Sequence, residues 1–140
     1  MAESYIFEIE ERPLALVSIQ NDSVHFADEE SRERNRFGHD INLPFTKRYN
    51  TIPAIKLGRI GVQKEFRRSG IGTNLLECCK YMFVNENRTG CRLILVDSYI
   101  RTMSFYEKNR FLLFPKQTFD RNRDDETVIM YCDLKPYQNL

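Results

Sequence analysis

The sequence predicts an α/β (α+β) domain whose mixed, mostly antiparallel sheet contains a central parallel β-α-β unit. The apolar run Ile55–Val62 is followed by an amphipathic run, Ile71–Asn85, and then by a nearly continuous apolar run, Cys91–Asp97. A strand, a helix and a second strand in this order form a right-handed crossover with parallel strands. Runs rich in β-branched and aromatic residues on both sides of the unit predict further strands, which can pair antiparallel.

Two short β-compatible runs precede the central unit. Tyr5–Ile9 and Leu14–Ile19 are separated by the charged, Pro-containing segment Glu10–Pro13, so we expect a hairpin. In residues 21–50, the charged stretch Asp28–Arg36 predicts one exposed helix, followed by a long loop. Since a loop of this length in a compact domain is often a functional cover, we expect this segment to pack over a cleft.

The central helix is predicted from one continuous apolar face with helical spacing. Asn87–Gly90 should end this helix, because glycine is common just past a helix terminus. The apolar character of Cys91–Asp97 is typical of the buried middle of a sheet. The residues of the helix face are Ile71, Leu75, Cys78, Cys79 and Met82.

A second, shorter helix and two strands complete the prediction. Thr102–Lys108 has the pattern of a short helix, and Phe111–Phe114 and Thr127–Leu134 have the pattern of strands. The polar segment Asp120–Asp125 between these strands predicts a hairpin loop.

Length and composition predict one domain, residues 1–140, with an ordinary hydrophobic core. Hydrophobic residues make up 41% and charged residues 29% of the chain, and the formal net charge is +1. This charge does not demand nucleic acid or an anionic membrane as a partner. Since no apolar run approaches the roughly 20 residues that cross a bilayer and Met1–Ser4 does not resemble a signal peptide, we expect a cytoplasmic protein without a membrane partner.

The four cysteines are expected to be buried, reduced and structural. Cys78 and Cys79 are adjacent in the predicted helix, and the chain has no C-x-x-C pair. Only His25 and His39 could complete a zinc site. We therefore expect no metal and no disulfide.

The segment Arg67–Thr73, between the first strand of the unit and its helix, predicts an anion site. Glycines let the backbone approach a ligand, and the first N–H groups of a helix have no internal partner. Together with the helix dipole, these donors favour a phosphate or pyrophosphate. The alternative is that Gly70 and Gly72 only shape the turn, with Arg67 and Arg68 solvated.

Tyr106 is the candidate for proton chemistry. Its short helix follows the second strand of the parallel pair, and ligands of open α/β sheets bind in the crevice at such strand ends. A phenol there can supply a proton to a leaving thiolate. The alternative is that Tyr106 packs with Phe105 and Phe111 as core.

Two motifs give the chain a resemblance to the GNAT superfamily of acetyl-coenzyme A-dependent N-acetyltransferases. Val62–Leu76, reading VQKEFRRSGIGTNLL, matches the pyrophosphate-binding pattern of that family, and Ser104–Phe111, reading SFYEKNRF, is similar to its FYxKxGF segment. The resemblance covers about residues 54–134, the expected coenzyme-binding core. It implies the acyl-CoA N-acyltransferase fold and acetyl-CoA as co-substrate.

The resemblance also implies roles for individual positions. Tyr106 would be the general acid, and Ser104 and Lys108 would lie near the coenzyme. A bulge in the first strand of the unit would splay it from the next strand. Backbone groups for the pantetheine arm would come from Ile60, Gly61 and Val62, and the pyrophosphate would be wrapped by Arg67, Arg68, Ser69, Gly70, Ile71, Gly72 and Thr73.

The implied reaction is direct attack of a primary amine on the thioester, with an N–H donor near Val62 stabilising the oxyanion. No general base is obvious: Glu65 lies in the turn, and Asp97 at a strand end is a candidate that often only caps a turn. A water relay or an amine that arrives neutral is equally plausible.

The acceptor is open among a small molecule, a peptide and an aminoacyl-tRNA. The run Pro53–Val62, reading PAIKLGRIGV, is similar to the corresponding strand of toxins that acetylate aminoacyl-tRNA. The near-neutral net charge counts against a tRNA acceptor. A non-catalytic coenzyme A-binding regulatory module is the other alternative.

Two departures from the family pattern stand out. Arg110 occupies the usual glycine position before Phe111, so a strained or rearranged turn is expected there. The family's N-terminal strand and helices, which often build one wall of the acceptor site, are expected to lack a counterpart before Tyr5. A natural short form, a trimmed start and a site completed by dimerisation are the open alternatives. An exposed sheet edge at this place favours pairing with another chain, so we expect that a homodimer can form.

Overall fold

The computed structural model describes residues 2–25, 51–86, 91–115 and 117–137. The strands are β1 (Ala2–Ile9), β2 (Arg12–His25), β3 (Thr51–Val62), β4 (Leu93–Tyr99), β5 (Leu112–Leu113) and β6 (Thr127–Asp133). The α-helices are α1 (Ile71–Asn85) and α2 (Met103–Lys108). Residues 21–25, predicted to begin the segment with the exposed helix and long loop, instead continue β2. The rest of that segment, including His39, and the predicted helix stop at Asn87–Gly90 lie outside the described residues.

The strands form one six-stranded sheet in the order β1-β2-β3-β4-β6-β5. β3 and β4 are parallel, with α1 as the crossover between them, and the other neighbouring pairs are antiparallel. The predicted mixed sheet with a central parallel β-α-β unit is therefore confirmed. Among the helices described, none is long and apolar enough to cross a membrane.

The larger hydrophobic core lies between the sheet and the two helices. Val17, Leu57 and Val96 contribute the sheet side of this core, and Met103 and Tyr106 contribute from α2. Alternate residues of the same strands point to the opposite face, where a second cluster is buried. That cluster contains Val24, Ile52, Ala54, Leu93, Leu95 and Tyr131.

The buried face of α1 differs from the predicted one. Cys78, predicted on the apolar face, is exposed, whereas the other three cysteines are buried and all four are free. Burial and the adjacent Cys78 raise the pKa of the Cys79 thiol to about 11, so this thiol stays protonated and unreactive at neutral pH. The buried residues are Leu75, Leu76, Cys79, Lys80 and Phe83.

The last edge of the sheet is built partly by a side chain. β5 has only two residues, fewer than the predicted Phe111–Phe114, and pairs with β6. Beyond β5, the Gln117 amide donates to Ile129 O at 2.7 Å, and its oxygen accepts the Ile129 N–H at 2.6 Å. Gln117 therefore extends the pairing of β6 past β5, together with the Phe114 N–H, which donates to the same Ile129 O at 2.9 Å.

Arg110 adopts the left-handed conformation expected for the position of a family glycine, with φ 67°. Its N–H donates to Glu107 O at 3.1 Å, and the next N–H, of Phe111, donates to Tyr106 O at 3.0 Å. The turn is thus kept, at the steric cost that a β-carbon brings at positive φ.

We predict that Arg110→Gly is more stable than Arg110→Ala by about 1 kcal/mol, because only glycine removes the steric cost. Both variants lose the guanidinium, so their difference isolates the backbone effect. Thermal unfolding should place the glycine variant roughly 4 °C higher. Equal midpoints would contradict the assigned strain.

Candidate functional site

β3 and β4 form a fork. Their pairing ends at Leu57 opposite Val96. Beyond this point Ile60, Gly61 and Val62 remain paired with β2 on one side only. The β4-facing edge of these three residues therefore has no strand partner in the described sheet. Arg67 Nε donates to the Val62 carbonyl, and the remaining backbone groups of the edge can meet a ligand.

A β-bulge at Gly58 and Arg59 produces the divergence. Both residues face the single residue Ser18 of β2, where the register shifts. The Arg59 N–H donates to Ser18 Oγ at 2.7 Å, which satisfies the donor that the bulge frees. A β-carbon on Gly58 would lie 2.6 Å from the same oxygen, so any other residue would displace the Ser18 hydroxyl from its hydrogen bond. Because a bulge bends its strand, it accounts for the fork.

We predict that Gly58→Ala and Ser18→Ala are coupled. Gly58→Ala displaces Ser18 Oγ from the Arg59 N–H, at a cost of about 1 kcal/mol of unfolding free energy. In the Ser18→Ala background the clashing oxygen is absent, so adding Gly58→Ala should cost less. A double-mutant cycle by urea unfolding should give a coupling of at least about 0.5 kcal/mol. Strict additivity would contradict this account of the bulge.

The turn between β3 and α1 is held by its own side chains. Arg67 Nε donates to Val62 O at 3.1 Å, and Ser69 Oγ donates to Phe66 O. Arg68 and Gly70 both have positive φ, 63° and 84°. Alternation of such conformations directs successive N–H groups into one concavity, the arrangement known as an anion-binding nest.

The start of α1 offers unpaired donors next to this turn. The first hydrogen bond of the helix runs from the Asn74 N–H to Gly70 O at 3.0 Å. The N–H groups of Ile71, Gly72 and Thr73 precede it, and the N-cap residue Gly70 supplies no side-chain cap. The turn residues 67–70 are exposed, so an anion can reach these donors.

Gly72 joins the three elements of the site. A β-carbon on Gly72 would lie 3.1 and 3.2 Å from two ring atoms of Phe105 on α2, and 3.9 Å from a Val62 methyl group on β3. The end of β3, the start of α1 and the helix α2 therefore meet at this glycine. The anion turn is consequently close to the helix that carries Tyr106.

Tyr106 is a buried phenol whose hydroxyl is unpaired. Its ring contacts Phe105 and Phe111 edge-on, with centroid distances of 5.1 and 5.5 Å. Within the described parts of the chain, its hydroxyl has no hydrogen-bond partner. Burial raises the pKa of Tyr106 to about 12, so the group keeps its proton at neutral pH. The ring thus belongs to the core, as the alternative expectation held, while the hydroxyl is free to donate.

The remaining candidates lie around these groups. Ser104 and Lys108 are exposed residues of α2, the helix of Tyr106. Asp97 forms an ion pair with Lys56, Oδ2 to Nζ 2.6 Å, on the sheet face opposite the helices. Glu65 is exposed, and its Oε2 lies 3.8 Å from Arg12 Nη2. No group of three or more His, Cys, Asp or Glu side chains within the described ranges is placed to hold a metal ion.

Sequence reasoning missed Lys80 and the Gly58–Ser18 contact. Lys80 is 1% exposed, and its ammonium donates to Asn109 O, Tyr137 Oη and Glu77 Oε1 at 2.6, 3.0 and 3.2 Å. The position of Lys80 in the sequence could have indicated its burial. Lys80 follows Leu76 by four residues and precedes Phe83 by three, which is the spacing of one helix face.

Comparison with known proteins relates the chain to one family by sequence and to one fold by structure. The family model of the acetyltransferase (GNAT) domain matches residues 20–111. Among curated proteins, none matches the sequence significantly. The structure is similar to AtaTR bound with AcCoA, with TM-score 0.70 and 15% identity, over 99% of this chain and 73% of that one.

Two further solved structures show the same similarity. AtaT complexed with acetyl-methionyl-tRNAfMet gives TM-score 0.67 at 14% identity, over 99% of this chain and 74% of that one. A bacterial toxin gives TM-score 0.63 at 13% identity, over 89% of this chain, which spans only 62% of the toxin's length. At these identities the similarity shows the fold, whereas the family model covers well over half of the sequence. The chain therefore belongs to the GNAT acetyltransferase family.

Proposed function

We propose that the protein is an acetyl-CoA-dependent N-acetyltransferase that transfers the acetyl group to a primary amine by direct attack. The observation that carries the proposal is the contact of Gly72 with Phe105, which supports placing the proposed anion turn near the helix of the buried phenol Tyr106. A turn that binds pyrophosphate and an acid that protonates sulfur are the two groups that a thioester of coenzyme A needs.

In this proposal the coenzyme follows the fork. The pyrophosphate would bind the free N–H groups of residues 68–73, with Arg68 adding charge. The pantetheine arm would lie along the unpaired edge of residues 60–62 and leave the thioester between β3 and β4. Ser104 and Lys108 are exposed on the adjacent helix and would contact the coenzyme from that side.

The proposed step conserves atoms and charge. The amine nitrogen bonds to the thioester carbon, the carbon–sulfur bond breaks, and the thiolate takes the Tyr106 proton. The surplus ammonium proton leaves to solvent, which later reprotonates Tyr106. Burial raises the pKa of Tyr106 to about 12, so the phenol keeps its proton at neutral pH until the departing thiolate is present to take it.

Asp97 is a carboxylate next to the fork, directly after Val96, the last residue of β4 that pairs with β3. Its ion pair with Lys56 at 2.6 Å engages one carboxylate oxygen, on the face away from Tyr106. A water relay or an amine that arrives neutral therefore suits the geometry at least as well as Asp97 acting as general base.

Transfer can be tested with isotopically labelled acetyl-CoA and a panel of small amines, peptides with free N-termini and aminoacyl-tRNA. The proposal expects labelled amide product from at least one class, with loss of the product in Tyr106→Phe. Tight coenzyme binding with slow hydrolysis only, over the whole panel, would instead select the non-catalytic coenzyme A-binding module.

An aminoacyl-tRNA acceptor is the second candidate. The favouring observation is the similarity to AtaT, which was solved with acetyl-methionyl-tRNAfMet. The net charge of +1 counts against it, because tRNA binding needs concentrated positive charge. Growth arrest on expression, absent in Tyr106→Phe, supports this acceptor, and harmless expression of active enzyme contradicts it.

Self-association is a further proposal. β1 is an edge strand of the described sheet, and Ile6 and Ile9 on it are 65% and 61% exposed. An unpaired apolar edge favours pairing with another chain. A homodimer seen by analytical ultracentrifugation and weakened by Ile6→Lys would support it, and a monomer at high concentration would contradict it.

A further inference from the structure

We infer that Lys80 is a positioning residue, whose buried ammonium holds the carbonyl end of α2, and with it Tyr106, against α1. The catalytic part of this inference rests on the proposed function. The structural part, a clamp between two helices, does not.

The ammonium of Lys80 is fully committed to hydrogen bonds. Asn109 O, Tyr137 Oη and Glu77 Oε1 accept its three protons at 2.6, 3.0 and 3.2 Å. The rings of Tyr137 and Phe111 also lie near it, with centroids 4.9 and 5.6 Å from Nζ. Burial lowers the pKa of a lysine, but the hydrogen bond to Tyr137, the neighbouring Cys132 and the hydrogen bond to Glu77 raise the pKa of Lys80 above its ordinary value. The group is therefore a cation at neutral pH.

This cation lies at the carbonyl end of α2. Its shortest hydrogen bond goes to the carbonyl of Asn109, the residue that follows the helix. Asn109 in turn donates its side-chain amide to Phe105 O at 2.8 Å and its N–H to Tyr106 O at 3.0 Å. A positive charge at this end is favoured by the unpaired helix carbonyls. Two hydrogen bonds in series, from Lys80 to Asn109 O and from the Asn109 N–H to Tyr106 O, thus connect Lys80 to the backbone of Tyr106.

The clamp adds a polar contact to the packing of α1 against α2. Gly72 touches Phe105 at the start of α1, and Lys80 reaches Asn109 from eight residues further along the same helix. At a rise of 1.5 Å per residue, these two contacts are about 12 Å apart on α1. Two separated contacts fix both the distance and the orientation of α2. Tyr106 is consequently held in one place relative to the start of α1, where the anion turn lies.

Hydrophobic packing alone does not require a lysine here. A buried ammonium costs free energy unless it is fully paired, and an apolar residue of similar volume would be easier to bury. The three acceptors compensate that cost, and the result is a directional contact that an apolar side chain cannot make. We therefore assign Lys80 the placement of α2 rather than the filling of the core.

The test combines hydrogen exchange with steady-state kinetics on Lys80→Met, which keeps the length of the side chain and removes its charge. We expect the Asn109 and Phe111 amides to exchange at least about tenfold faster, because their acceptor Tyr106 O moves, while the Asn74 amide of α1 is unchanged. We expect kcat to fall about tenfold with KM for acetyl-CoA within about twofold. Lys135→Met, at an exposed lysine outside the site, should change neither quantity.

The variant Tyr137→Phe distinguishes an effect on the placement of α2 from an effect on the stability of the whole protein. It removes one acceptor of Lys80 and should lower the thermal midpoint, yet it leaves the bond to Asn109 and should keep both the exchange pattern and kcat. Unchanged exchange in Lys80→Met overturns the clamp, whatever the activity. Faster exchange with unchanged kcat overturns the catalytic part alone. If Tyr106→Phe retains full activity, the general-acid role fails while the exchange result still decides the clamp.

Discussion

Tyr106→Phe is expected to bind acetyl-CoA within about threefold of the wild-type affinity and to lose about 100-fold or more of kcat. The hydroxyl is unpaired in the described structure, so removing it leaves no orphaned partner, and the ring contacts with Phe105 and Phe111 remain. What disappears is the proton for the departing thiolate, a contribution of about 10²–10⁴ in rate. Calorimetry and steady-state kinetics measure the two effects separately.

Tyr81→Phe is the matched control, because Tyr81 is 67% exposed on α1 and should be silent. The pH dependence adds a second check. Tyr106 acts in its protonated form, which is present below its raised pKa of about 12 and is lost only as the pH rises through that value. Activity assays at about pH 7 to 9, far below that pKa, should therefore show no loss caused by deprotonation of Tyr106. Normal kcat in Tyr106→Phe would remove the general-acid role.

Arg68→Glu is expected to weaken acetyl-CoA binding by about 10- to 100-fold. The variant replaces a cation with an anion at the exposed turn beside the start of α1, where the pyrophosphate is proposed to bind. Charge-assisted hydrogen bonds to phosphate are worth about this much. Because Arg68 is exposed and belongs to neither hydrophobic cluster of the described residues, the thermal midpoint should stay close to that of the wild type. Calorimetric titration with acetyl-CoA measures the loss.

Arg121→Glu changes the net charge by the same amount in the segment between β5 and β6, and it should leave the affinity unaltered. Equal losses in the two variants would indicate a diffuse electrostatic effect rather than a site. Unchanged binding in Arg68→Glu would contradict the placement of the pyrophosphate at this turn.

The parts of the fold that follow from local pattern were predictable. Alternation, helical spacing and the glycine turn predicted the hairpin, the parallel pair and the two described helices. These patterns depend only on residues that are neighbours along the chain. Strand ends were less accurate: β4 begins at Leu93 rather than Cys91. The end of a strand depends on its partner, here β3, whose register no local pattern reveals.

Features that depend on long-range contacts were missed. The family resemblance implied a bulge in this strand, but not the contact that supports it at Gly58, where Ser18, 41 residues before Arg59, offers an acceptor to the Arg59 N–H. Lys80 is buried because Asn109 and Tyr137, 29 and 57 residues away, supply acceptors. A lysine on a helix is ordinarily read as solvated, and only tertiary contacts overturn that expectation.

The candidate site likewise has parts that the local sequence predicts and parts that it does not. The turn at residues 67–73 was predictable, since its glycines and arginines are contiguous, and the structure adds its left-handed residues and free donors. The proximity of Tyr106 to this turn was expected from topology and is supported by the Gly72–Phe105 contact. The acceptor side was not predictable, because residues 21–50 carry no motif that specifies an amine.

A crystal structure with acetyl-CoA tests the central claim most directly. The account predicts that the pyrophosphate lies against the N–H groups of residues 68–73, with the thioester sulfur within hydrogen-bond distance of the Tyr106 hydroxyl. A coenzyme bound elsewhere, or one whose sulfur lies far from Tyr106, would contradict it.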